Sequence, residues 1–100
     1  MKKTTKSSGG TSFFNSTIKT SLNILKNILG EPQWSDNTGE DKSNFDWTME
    51  NEDENIFTVY DWKEYRIIED NEIIEWHIGG FNNIDTEKAK AEIEQAIKNI

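Results

Sequence analysis

Two short strings hold most of the side chains able to do chemistry: Tyr60-Asp61-Trp62-Lys63-Glu64-Tyr65-Arg66 and Trp76-His77-Ile78-Gly79-Gly80. Indole and phenol faces stack on a planar ring such as a purine, or pack on a protein side chain. Lys63 and Arg66 suit phosphate or carboxylate, and Gly79 and Gly80 let backbone amides approach an anion closely. Brought together, Tyr60, Trp62, Lys63, Tyr65, Arg66, Trp76, His77, Gly79 and Gly80 meet the demands of a nucleotide-like ligand. The plainer alternative makes Gly79-Gly80 a turn, puts Trp76 in the core, and pairs Asp61 and Glu64 with Lys63 and Arg66.

His77 is the only histidine, and its ordinary pKa lies nearest neutrality, so it is the one obvious general acid or base. No serine motif, phosphate-binding Gly-Lys-Ser/Thr motif or second histidine accompanies it, and the reading assigns no catalytic residue. The acidic run Glu50–Glu54 lacks the glycine and terminal glutamate of a calcium loop and reads as solvated turn charge. The chain contains no cysteine, which excludes disulfides, thiolate zinc and iron–sulfur sites; neither cofactor nor metal is expected.

One hundred residues, 33% hydrophobic, fill one core rather than two. A net charge of −8 disfavours non-specific nucleic acid and anionic membranes as partners. The charge is uneven: residues 1–30 carry five lysines and no acid, while residues 31–100 carry six basic and all nineteen acidic residues, hence +5 and −13. Residues 1–10 are expected as a flexible basic arm able to lie on an acidic body, and residues 11–100 as a single α+β domain. No apolar run approaches the roughly 20 residues of a bilayer span, and the lysine-rich start leads into Ser, Gly and Thr rather than a signal-peptide core.

The elements that must hold the two strings follow from periodicity. Ile18, Leu22, Leu25 and Leu29 recur at spacings of four, three and four, predicting a helix from about Ser16 to Leu29, closed by Gly30 and Pro32 and stapled by Phe13 or Phe14. Phe45, Trp47 and Met49 alternate with polar residues as on a half-buried strand. Asn51–Asn55 suits a hairpin turn, and Ile56–Trp62 suits the returning strand, with Ile56, Thr58, Tyr60 and Trp62 on one face. A third strand is expected over Ile73–Ile78, and a last helix from Asp85 or Thr86 along Ala89, Ile93, Ala96, Ile97 and Ile100. The expected fold is a two-layer α-β-β-β-α domain: a three-stranded antiparallel sheet with two helices on one face.

Five separated pieces, all within residues 10–80, carry a resemblance: Gly10-Thr11-Ser12, Gly30-Glu31-Pro32, Lys42 with Trp47, Ile56-Phe57-Thr58-Val59-Tyr60-Asp61-Trp62-Lys63, and Trp76-His77-Ile78-Gly79-Gly80. In this order they resemble a widespread family of small uncharacterised proteins encoded by phages and related mobile elements. The resemblance implies a phage-like origin, hence the cytoplasm of an infected bacterial host, and implies no chemistry. Where the family has an Asp-Gly hairpin, this chain has Glu54-Asn55.

The expectation is a non-enzymatic phage accessory protein for host takeover or anti-defence, sequestering a nucleotide-type signal molecule as a homo-oligomer. The alternative is an acidic inhibitor that binds a host nucleic-acid-handling or defence enzyme. A third reading, hydrolysis assisted by His77 and Glu75, lacks visible geometry.

Overall fold

The computed structural model describes residues 1–100. In chain order the elements are β1 (Lys2–Lys3), β2 (Ser12–Ser21), α1 (Leu22–Leu29), β3 (Trp34–Ser35), β4 (Phe45–Glu50), β5 (Ile56–Tyr60), β6 (Ile73–Gly80) and α2 (Asn83–Lys98). The fold is α+β with two helices and one antiparallel sheet, but the sheet has six strands rather than three. Along it the strands run β1-β4-β5-β6-β2, and β3 also pairs with β4. Two of the additional strands, β1 and β3, are two residues long and too short to show periodicity; their place is set by β4, against whose edge both lie.

The third additional strand corrects the expected first helix. Only Leu22–Leu29 is helical, and residues 12–21 form a ten-residue strand paired with β6. Ile18 satisfies both periods, since it stands four residues before Leu22 and also alternates with Ser16 and Thr20, all three buried. Ser, Thr and Ile are mediocre helix formers, and the hydroxyl-rich, β-branched run favours the strand. Ser21 then caps α1, its hydroxyl accepting from the Ile24 amide at 3.2 Å, and Gly30 closes it with φ of 82°. At the other end α2 begins at Asn83, capped by Asn82, two residues ahead of the expected Asp85.

The helix-covered face of the sheet and the two helices share one apolar cluster. At its centre Trp47 and Trp76 are fully buried and meet edge to face, with ring centroids 5.6 Å apart. Each indole N–H is satisfied at one end of α1: Trp76 donates to the Thr20 carbonyl at 3.0 Å and Trp47 to the Gly30 carbonyl at 2.8 Å. Leu22, Leu25 and Leu29 from α1 and Ala89 and Ile93 from α2 complete the core, while Ile100, expected in the α2 stripe, is exposed.

Residues 1–10, expected as a flexible arm, meet the acidic body of their own chain. Lys2 and Lys3 pair with Glu50 and Met49, and the Lys6 ammonium lies 3.6 Å from the Glu50 carboxylate and donates to the Glu54 carbonyl. A hydrogen bond from the Thr4 hydroxyl, with the charges of Lys6 and Lys2, holds the Glu50 carboxyl below its ordinary range.

The connections around the strand ends are cross-tied through Asp61, which is buried. Its carboxylate accepts from the Asn44 amide at 2.8 and 2.9 Å and from the Phe45 amide at 2.8 Å. Asn44 donates onward to Asn37 and to the Arg66 carbonyl, and Asn37 exchanges two hydrogen bonds with the Ile68 backbone. Gly39, at φ of 80°, lies so close that a Cβ there would sit 2.5 Å from the Arg66 backbone.

Asp61→Ala leaves two buried amides without acceptors and lowers the unfolding free energy by about 2–4 kcal/mol, measurable by urea titration. In the β4–β5 turn, Glu54 occupies the left-handed region at φ of 64°. Glu54→Gly relieves that strain and raises stability by about 0.5–1 kcal/mol, seen as a higher midpoint in the same titration.

Candidate binding site

Because Trp47, Val59, Trp76 and Ile78 point into the core, their strand neighbours must point to the opposite face. Register makes those neighbours a row: Asp46 opposite Tyr60, Tyr60 opposite His77, and His77 opposite Thr17. A second row holds Thr48, Thr58 and Gly79, with Phe13 of β2 facing Gly79. A β-bulge between Phe13 and Ser16, with Asn15 at φ of 68°, bends β2 there, and the Phe13 ring stacks on His77 at 4.0 Å and 12°.

Trp62 follows β5 and joins this aromatic cluster. Its centroid is 6.0 Å from Tyr60, edge to face, and 6.2 Å from His77 with 29° between planes. It remains 41% exposed. Lys63 and Lys42 place their ammonium groups 5.5 and 5.9 Å from its ring centroid, within cation–π range. The Lys63 amide donates to the Lys42 carbonyl, which holds the two connections side by side.

Beside Trp62 is a cavity of about 260 Å³. Strand residues Ser12, Asp46, Thr58, Tyr60 and Gly79 contribute to it, as do Ser43 and Trp62 from the connections and Ser8 and Thr11 from the N-terminal segment. Gly79 has no room for a side chain, since a Cβ would come within 2.6 Å of the Thr58 hydroxyl and 3.6 Å of the Tyr60 ring. Asp46 is the unusual group. Burial, and secondarily the Asp61 charge, push its carboxyl up to about 6, and its Oδ1 is buried without a hydrogen-bond partner. Burial and then Asp46 raise the Tyr60 phenol, while burial lowers the His77 imidazole against the opposing pull of Glu75. His77 therefore serves near pH 7 as a neutral aromatic surface.

The expected site residues separate into three groups. Tyr60, Trp62, Lys63, His77 and Gly79 come together on the outer face. Strands β5 and β6 are antiparallel, so Tyr60 at the end of β5 lies across from His77, while Gly80 at the end of β6 lies across from Phe57. Trp76 and Gly80 belong to the helix-covered face, Trp76 fully buried and Gly80 so close to Thr86 that a Cβ would approach its methyl to 3.0 Å; neither lines the cavity. Tyr65 and Arg66 lie on the connection beyond. Tyr65 is exposed with φ of 51°, and Arg66 forms a two-pronged ion pair with Glu72 and lies 3.6 Å from Glu64, which occupies it. Asp61 bonds backbone amides rather than Lys63 or Arg66.

Sequence pattern leaves out Asp46, Lys42, Ser43 and Phe13. An acid alternating with Phe45 and Trp47 has the signature of a solvated strand face, and Phe13 has that of a helix staple. No helix is long and apolar enough to cross a membrane.

The raised Asp46 pKa carries a sign. Its folded value of about 6 exceeds the ordinary 3.8, so the folded chain holds this proton more tightly and the Asp46 contribution to stability falls as pH rises from about 4 to about 6, then levels. Asp46→Asn removes this loss. Near pH 7 it is more stable than the parent by about 1–2 kcal/mol, allowing for screening at a partly exposed site, and the difference closes near pH 4 in urea titrations.

Compared with family models, curated proteins and solved structures, the chain has no match in any of the three.

Proposed function

We propose that this chain is a non-enzymatic binding protein whose outer aromatic face captures a nucleotide-type molecule. The observation that carries the reading is the half-exposed Trp62, flanked by Lys42 and Lys63 and opening on a cavity that Asp46 also lines. A base stacks on the indole, the two ammonium groups neutralise phosphate, and the Asp46 carboxylate accepts from ligand N–H or O–H groups. Tyr60 and His77 back the indole edge to face and in stack, so that it is presented as a rigid platform. Capture needs no proton transfer, and the imidazole best suited to it is stacked on Phe13. With the resemblance to phage-encoded proteins, sequestration of a host signal nucleotide is the role that fits.

Calorimetry with adenine and guanine mononucleotides tests this. The parent protein binds at least one of them, and Trp62→Ala weakens that binding roughly tenfold to a hundredfold while leaving the melting temperature within about 2 °C. A folded sample that gives no heat with any of the panel overturns the proposal.

A further inference from the structure

A second concavity, of about 380 Å³, is lined by Trp34, Asp41, Lys42, Ser43 and Asp46. Ser43 and Asp46 line both cavities, so the two adjoin across that shared wall as a divided groove. Each compartment has its own half-exposed indole, Trp62 in the first at 41% and Trp34 in the second at 42%. Asp46 stands between them by strand register, paired with Trp34 on one side and with Tyr60 on the other. Lys42 serves both, lining the second compartment and placing its ammonium 5.9 Å from the Trp62 ring centroid.

Two platforms of one kind on either side of the shared Lys42 and Asp46 match a ligand that repeats its ring once. We propose, resting on the nucleotide-binding reading above, that the ligand is a dinucleotide. One base lies on Trp62 and the other on Trp34; Lys42 holds the phosphodiester that joins them; Asp46 accepts donors from the ligand between the rings. Each stacked base adds its own increment of affinity, and covalent linkage makes the second contact intramolecular. Charge sets the upper limit on length. A chain carrying −8 offers Lys42 and Lys63 beside Trp62, so each further phosphate of a longer strand adds repulsion from the net negative charge of the whole chain.

The test compares adenosine monophosphate with the linear dinucleotide adenylyl adenosine, and the guanine pair likewise, by calorimetry and tryptophan quenching on the full chain. The dinucleotide of one pair binds about tenfold or more tighter than its mononucleotide. In Trp34→Ala that ratio collapses toward one, whereas Trp34→Phe retains most of it. Both substitutions are at an exposed side chain, and an unchanged melting temperature confirms the fold. Equal affinity for mono- and dinucleotide in the parent, or a ratio untouched by Trp34→Ala, overturns the two-ring proposal and leaves single-base binding standing. Absence of binding by all four probes overturns both. An eight-base single strand that binds tighter than either dinucleotide overturns the length limit and makes the groove a single-strand site.

Discussion

The buried pair Trp47 and Trp76 is the interaction on which the remainder depends. Each ring fills the space between sheet and helices, and each spends its N–H on a carbonyl at one end of α1. With both indoles committed inward, strand alternation leaves Asp46, Tyr60 and His77 no choice of face. The outer row is thus a by-product of core packing, and a one-residue slip of β4 would bury an acid and expose an indole. Such a slip is opposed by large apolar burial on one side and by carboxylate desolvation on the other.

What core packing does not determine is the placement of Trp62, which lies beyond the last residue of β5. That task falls to polar groups. Asp61, Asn44 and Asn37 form a chain of buried and part-buried hydrogen bonds linking the 36–44 connection to the 61–68 connection, and Gly39 permits the backbones to touch. The strain is visible nearby, with Lys63 and Tyr65 both at positive φ. Left-handed conformations at non-glycine residues persist only where their surroundings over-determine them, and here the surroundings are this network. Burial pushes the Asp61 carboxyl up while the Phe45 and Asn44 amides pull it down, so the anchor itself balances opposing demands.

Much of the sheet is legible in the amino-acid string because its inward positions are apolar: Phe45, Trp47 and Met49, then Phe57 and Val59, then Ile74, Trp76 and Ile78. Strand β2 is obscured because its inward positions include Ser16 and Thr20, whose polarity hides a period of two, while Ile18 falls in step with the leucines of α1. The site divides along the same line. Tyr60, Trp62, His77 and Gly79 are found by composition, and register brings them together; Trp76 carries the same composition yet belongs to the interior, since alternation assigns adjacent residues to opposite faces. Asp46 is invisible because its burial comes from β3 and from the connection holding Ser43, neither of which announces itself by pattern.

One border of the sheet is β2, whose outward-facing backbone has no strand beside it. A ten-residue rim of that sort is a ready rail for a neighbouring molecule to zip onto. Here the rail is not straight. The kink at Asn15 breaks the spacing of its amides, and Lys19 sets a charge along the remaining length. The device that aims Phe13 at the imidazole thereby also spoils the template for fibre-like stacking along this edge.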